Sequence, residues 1–124
     1  MEKTCFFTVF ASGPGSSYSV ASADLNGDGR VDVVSANFTG NTVSVLLGNG
    51  NGTLQAPQSF ATGARPDWIA LADVNGDGKI DLIVANANGN TASVLLGNGN
   101  GTFQAQQTFA AGANPWTLAV AVNC

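Results

Sequence analysis

The chain has 124 residues and a net charge of −4 at pH 7, which bounds it to one small domain. Hydrophobic residues make up 44% and charged residues 10%, with 16 glycines, a composition typical of strands and turns rather than helices. The four basic residues are scattered, which argues against a nucleic-acid interface. Histidine, the commonest general base and zinc ligand, is absent, and no apolar run reaches the roughly 18 residues of a membrane helix.

A repeat of 49 residues, the interval between Asp24 and Asp73, organises the chain. The segment LLGNGNGT at 46–53 returns at 95–102, and the F-A-x-G motif occurs at 10–13, 60–63 and 109–112. The N-terminal apolar stretch therefore belongs to the repeat as a strand, which argues against a signal peptide. We expect one repeat module that consists, in order, of an orphan fourth strand (1–13), a first unit (14–63), a second unit (64–112) and an orphan first strand (113–124).

Each unit is predicted to contain four strands joined by short hairpins, because β-branched and apolar runs alternate with Asn/Gly turns. The predicted strands, in chain order, are 3–10, then 19–23, 31–37, 42–47 and 53–61, then 68–72, 80–86, 91–96 and 102–110, and finally 117–122. The expected fold class is all-β, with two tandem four-stranded antiparallel blades and an orphan strand at each end.

The two turns that join the first and second strands of the units together hold six of the eight acidic residues of the chain, three in each turn. Both copies read D-x-N-G-D-G-x-x-D, at 24–32 and 73–81. Oxygen side chains at loop positions 1, 3, 5 and 9 can surround one hard cation, and Ca²⁺ accepts such ligands in more flexible geometry than Mg²⁺. A helix–loop–helix calcium hand is excluded, since loop position 12 is Ser35 or Val84 instead of glutamate. The alternative is a pair of Asp/Asn/Gly turns without an ion.

These loops, the S-V-L-L-G-N-G-N-G-T segments and the F-A-x-G motifs resemble the FG-GAP/VCBS repeats, over almost the whole chain. Such repeats form the blades of integrin-α-type β-propellers and occur in secreted microbial proteins and some lectins. The resemblance implies propeller-type blades, an extracellular or cell-surface location and two Ca²⁺ per chain. The ligands that it implies are Asp24, Asn26, Asp28, the Arg30 carbonyl and Asp32 in the first loop, and Asp73, Asn75, Asp77, the Lys79 carbonyl and Asp81 in the second.

The blade count departs from that family pattern, because propellers have 4–8 blades and this chain has two complete ones. Two blades leave two outer faces and two orphan strands without cover. We expect other copies of the chain to supply that cover head to tail, either closing into a ring or continuing as a filament. The orphan strands would then complete a blade across the junction.

Two further groups of residues leave alternatives open. Cys5 and Cys124 lie on the orphan strands and are candidates for a disulfide, either within one chain or between chains. Asn37, Asn51 and Asn100 stand in N-glycosylation sequons, although ordinary turn chemistry explains them better.

Tyr18, Trp68 and Trp116 precede the first strand in three successive copies. Packing between blades explains them best, with stacking on a sugar ring as the alternative. The serines have no histidine partner and the acids serve as ion ligands, so we expect no enzyme. The sequence predicts an extracellular calcium-binding structural repeat protein that self-assembles. The alternative is a lectin or adhesin module that binds glycans between blades.

Overall fold

The computed structural model describes residues 6–11, 20–111 and 118–123, and this part of the chain contains ten β-strands. In chain order they are β1 (Phe6–Ala11), β2 (Val20–Ala23), β3 (Asp32–Asn37), β4 (Thr42–Leu46), β5 (Gln58–Ala61), β6 (Pro66–Ala72), β7 (Asp81–Asn86), β8 (Thr91–Leu95), β9 (Gln107–Ala110) and β10 (Leu118–Asn123). β2 to β5 form one antiparallel sheet and β6 to β9 a second, each in sequential order. The all-β fold with two tandem four-stranded blades is confirmed. Among these residues no helix is long and apolar enough to cross a membrane.

The fourth strand of each sheet begins later than predicted, at Gln58 and Gln107 rather than at residues 53 and 102. Before it, the chain makes only a single bridge to the preceding turn, Gly48 with Leu54 and Gly97 with Phe103. The backbone N–H groups of the following residues donate to the carbonyls of Leu47 and Leu96, at 2.7 and 2.8 Å, and close the turn over the strand end. The bounds of the other strands in both sheets agree with the prediction to within two residues.

The two terminal strands lie outside the four-stranded sheets and pair with each other. β1 and β10 run antiparallel, with Phe6 opposite Asn123 and Ala11 opposite Leu118. The sequence predicted partners for these strands in a neighbouring copy. Within the single chain each strand instead pairs with the other along one edge. Pairing with another copy therefore stays a prediction for the outer edges of β1 and β10.

The main hydrophobic core lies between the two four-stranded sheets. One face of the first sheet packs on one face of the second, and the buried side chains that meet there include Val34, Val43, Val45, Leu82, Val84 and Leu95. β6 contacts both β2 and β3 across this layer. The two units are therefore stacked repeats that share one core.

The remaining faces of the two sheets differ in exposure. The far side of the second sheet buries Ile83, Ala85 and Val94 almost completely, so every residue of β7 is buried. The far side of the first sheet leaves Val31 63% and Leu54 44% exposed. The expectation of two bare outer faces is thus correct for the first sheet and wrong for the second, which the single chain already closes.

Candidate metal centres

Each acidic loop is folded around its first aspartate. The carboxylate of Asp24 accepts hydrogen bonds from the backbone N–H groups of Gly27 and Gly29, both at 2.8 Å. Asp73 does the same for Gly76 and Gly78, at 2.8 and 2.9 Å. The glycines of both loops have φ between 75° and 80°, as the loop pattern requires. Backbone donors thus hold the first ligand position of each loop.

Each loop brings three carboxylates together. One oxygen atom from each aspartate lies within 4.8 Å of the other two, and the two groups are Asp24, Asp28 and Asp32, and Asp73, Asp77 and Asp81. The middle aspartate is exposed, the first is half-buried and the last is fully buried. Carboxylate oxygens that converge from surface to interior form a donor set that suits a hard cation such as Ca²⁺.

Asn26 brings its side-chain amide to the first group. The end of the amide that faces the carboxylates lies 3.1 Å from Asp24 Oδ1 and 2.9 Å from Asp28 Oδ1, and with Nδ2 at that end the amide donates to both. The amide turned by 180° would present its oxygen there, which is the orientation in which Asn26 would ligate a metal ion.

The last aspartate of each loop has a second role that the sequence did not reveal. Asp32 accepts from the backbone N–H groups of Leu25 and Gly48, and Asp81 accepts from those of Val74 and Gly97, all at 2.8–2.9 Å. Each of these buried carboxylates therefore ties the start of its loop to the Gly-Asn-Gly-Asn-Gly turn 16 residues further along the chain.

Gly48 and Gly97 are the functional positions that sequence reasoning missed. A Cβ atom at either position would collide with a loop carbonyl, that of Val31 or Ile80. Only glycine lets the turn approach closely enough for its N–H to reach the buried aspartate. The exact recurrence of the glycine-rich turn was the available signal, although its contact with the loop is set only by the fold.

The pKa values of the acids reflect these surroundings. The N–H of Gly29 holds the pKa of Asp24 below its ordinary value, and other loop N–H groups contribute. Burial opposes this effect at Asp73, but the N–H groups of Gly78 and Gly76 lower its pKa on balance. Burial raises the pKa of Asp81, and the charges of Asp77 and Asp73 raise it further, despite two backbone hydrogen bonds. A bound cation would offset both of the effects that disfavour the Asp81 carboxylate.

Arg30 and Lys79 were predicted as carbonyl ligands, and that role stays a prediction. Their backbone N–H groups donate to Asp28 Oδ1 and Asp77 Oδ1, both at 2.9 Å, which closes the central turn of each loop. Their side chains run along the adjacent glycine-rich turn, beside Gly50 in the first repeat and Gly99 in the second.

The other predicted site residues lie away from the acidic loops or outside the described residues. Trp68 is half-buried and packs against the core on the far side of the second sheet, and its stacking on a sugar stays a prediction. Its neighbour Asp67 is buried and pairs with Arg65 at 3.3 Å. Cys5, Tyr18, Trp116 and Cys124 lie outside the described residues.

The three sequons have different environments. Asn37 is half-buried, and its Nδ2 atom, the glycan acceptor, donates to Thr42 and Ser44 at 3.1 and 2.8 Å. Asn51 and Asn100 are exposed, and their Oδ1 atoms accept turn hydrogen bonds from the threonines two residues later. These contacts are ordinary turn chemistry, and glycosylation of Asn37, Asn51 and Asn100 stays a prediction.

Two stacked four-stranded blades, each with the same acidic loop between its first and second strands, define a tandem repeat protein with one candidate cation site per repeat. The family model for the FG-GAP-like repeat matches residues 24–84 and again residues 73–122. The chain therefore belongs to the FG-GAP-like repeat family. Comparison with curated proteins and with solved structures found no significant match.

Proposed function

We propose that this chain is an extracellular structural module in which Ca²⁺ binds to both acidic loops and stabilises the blades. The observation that carries the proposal is the convergence of three carboxylates in each loop, with the most buried one built into the fold. The charges agree with it, because two divalent cations would neutralise a chain with a net charge of −4. Membership of a repeat family found in surface proteins supports the location, and we propose no catalytic role.

Thermal unfolding with calcium, with magnesium and with a chelator tests this function. A ligand at 100 times its Kd stabilises a folded protein by about 2.7 kcal/mol per site, or about 5.4 kcal/mol for two sites, so the Tm should rise by roughly 20 °C when calcium replaces chelator. Magnesium should have a much smaller effect. The double variant Asp28→Ala with Asp77→Ala is the control, because both side chains are exposed and its Tm should not respond to calcium. A parent protein whose Tm is the same in calcium and chelator would refute the metal sites.

We further propose that copies of the module associate. The support is the open face of the first sheet, where Val20, Val31 and Leu54 are 58%, 63% and 44% exposed although they belong to a sheet with a buried opposite face. Light scattering on a sizing column, with calcium and then with chelator, measures the assembly. A discrete oligomer indicates a closed ring, a broad large species indicates a filament, and a monomer under both conditions contradicts self-association.

Carbohydrate binding is the second candidate. One observation favours it: a cleft of about 590 Å³ lies on the first repeat, lined by Arg30, Val33, Leu54 and the glycine-rich turn 48–52. The lining of the cleft is more apolar than polar and includes backbone groups of the glycine-rich turn, a combination found in small-ligand sites. A glycan array probed with the calcium-loaded protein tests this candidate, and an array without binding removes it.

A further inference from the structure

We propose that Asn51 deamidates spontaneously in the folded protein, whereas its repeat equivalent Asn100 is protected by the packing of one repeat on the other. The reaction needs neither a bound cation nor a partner, so it is independent of the proposed function. Deamidation is fastest at an asparagine followed by glycine, because glycine has no side chain to obstruct it. In this chain glycine follows Asn26, Asn49, Asn51, Asn75, Asn88, Asn98 and Asn100.

Deamidation converts asparagine to an acid without an enzyme. The backbone nitrogen of the following residue loses its proton to solvent base and attacks Cγ of the side-chain amide. The Cγ–Nδ2 bond breaks, Nδ2 takes up a proton and leaves as ammonia, and a cyclic succinimide forms. Water then opens the ring at either carbonyl and gives aspartate or isoaspartate. The reaction therefore needs an accessible backbone N–H, room around the following residue and a polarised side-chain carbonyl.

The acidic loops hold the nitrogen atoms that would attack. The N–H that follows Asn26 donates to Asp24 Oδ1, and the N–H that follows Asn75 donates to Asp73 Oδ1, both at 2.8 Å. Removing the proton from such an N–H would place a second negative charge beside the carboxylate. The N–H that follows Asn88 also has an acceptor, a turn carbonyl at 3.2 Å. These three asparagines are therefore protected by local hydrogen bonds.

The glycine-rich turn 48–52 combines the features that promote the reaction at Asn51. The Oδ1 atom of Asn51 accepts from the N–H and the hydroxyl of Thr53, at 3.1 and 2.5 Å. These donors polarise the amide and stabilise the negative charge that Oδ1 gains when Cγ is attacked. No described residue accepts a hydrogen bond from the Gly52 N–H, and both Asn51 and Gly52 are exposed. A Cβ on Gly52 would meet no atom within 4 Å, so there is room for the ring to form.

Asn49, in the same turn, lacks this freedom. Its Nδ2 atom, the leaving group, donates to Thr53 Oγ1 at 2.9 Å. The side chain of Arg30 also covers the following glycine, because a Cβ on Gly50 would lie 3.0 Å from Arg30 Nε. Asn98 makes the equivalent hydrogen bond in the second repeat, at 3.0 Å. The first asparagine of each glycine-rich turn is therefore held in place.

Asn100 has the same local surroundings as Asn51, because the segment 46–53 returns unchanged at 95–102. Its Oδ1 atom accepts from the N–H and the hydroxyl of Thr102, at 3.0 and 2.6 Å. The difference lies in Gly101, at the end of the glycine-rich turn 97–101, which is buried against Leu47 of the first repeat. A Cβ on Gly101 would lie 2.8 Å from Leu47 Cδ2. Solvent base therefore reaches the Gly101 N–H only after the turn opens away from Leu47.

The rate of deamidation at each asparagine tests the proposal. Protein produced in bacteria, which carries no N-glycan, is stored at mildly alkaline pH. Peptide mapping by mass spectrometry, with fragmentation that distinguishes aspartate from isoaspartate, then gives the rate at each site. We expect Asn51 to react about tenfold faster than Asn100 in the folded protein, and Asn26 and Asn75 to react more slowly than Asn51. In concentrated urea Asn51 and Asn100 should react at equal rates, because their neighbours in sequence are the same.

A variant at the junction provides the matched control. Leu47→Ala removes the cover from Gly101, and the Leu47 side chain takes no part in the hydrogen bonds of the turn 48–52. Asn100 should then react nearly as fast as Asn51, while the rate at Asn51 stays unchanged. Leu47→Val keeps most of the side chain, should give a smaller effect and covers the case in which the alanine variant does not fold.

Each part of the proposal has its own contrary result. Equal rates at Asn51 and Asn100 in the folded parent would refute protection by the junction. An Asn51 that stays intact in the folded protein, while the protein in urea reacts, would refute the site itself. A faster reaction at Asn26 or Asn75 than at Asn51 would refute protection by the acidic loops. None of these results bears on calcium binding, which thermal unfolding tests separately.

Discussion

The glycine-rich turns of the two repeats provide a matched pair of substitutions that measures the junction between repeats. Gly52 and Gly101 occupy equivalent positions and have φ of 88° and 89°. An alanine at either position pays the same backbone cost, about 1 kcal/mol for a left-handed conformation. Among the residues that the structure describes, only the methyl group added at Gly101 meets a neighbour, the Leu47 side chain.

The difference between Gly101→Ala and Gly52→Ala therefore reports contact across the junction alone. Inserting a methyl group into a packed site costs about 1–3 kcal/mol, and we expect the lower end because the end of a leucine side chain can shift. Gly101→Ala should lie about 1 kcal/mol below Gly52→Ala, or about 4 °C in Tm. Urea unfolding of both variants in chelator measures this difference, provided that the two titrations give the same m-value. Equal stabilities would show that Leu47 does not pack on the turn in solution, and the junction described above would be refuted.

Two other predictions follow from the same asymmetry and from the termini. Phe103→Ala should lower the free energy of unfolding by about 3 kcal/mol in denaturant titrations, because Phe103 is buried against Phe60. The equivalent substitution Leu54→Ala should lower it by about 1 kcal/mol or less, because Leu54 is 44% exposed. Similar losses for the two variants would mean that the open face of the first sheet is covered in solution. Cys5 and Cys124 are predicted to form a disulfide, either within one chain or between chains. Intact mass under non-reducing conditions should show either a monomer lacking two hydrogens or a linked dimer, and free thiols would contradict this.

Local sequence was enough to predict the repeats, the strands and the acidic loops. Each of these features depends on residues close together in the chain: β-branched runs form strands, and Asp, Asn and Gly at fixed loop spacing form a turn with inward-facing oxygens. The same pattern identified the three aspartates of each loop, which the fold does bring together. The late start of the fourth strands was missed, because the turn before them closes through a contact with the carbonyl at the end of the third strand.

Only the tertiary structure decided how equivalent residues differ. Val31 and Ile80 are similar side chains at equivalent positions of the repeat, yet Val31 is 63% exposed and Ile80 packs on the core. The difference arises because the first sheet packs over the face on which Ile80 lies. The sequence likewise could not show that Asp32 and Asp81 reach Gly48 and Gly97, or that β1 pairs with β10 from the other end of the chain. Burial and long-range pairing depend on which surfaces meet after folding, and a local motif that is nearly the same in both copies carries little information about its neighbours.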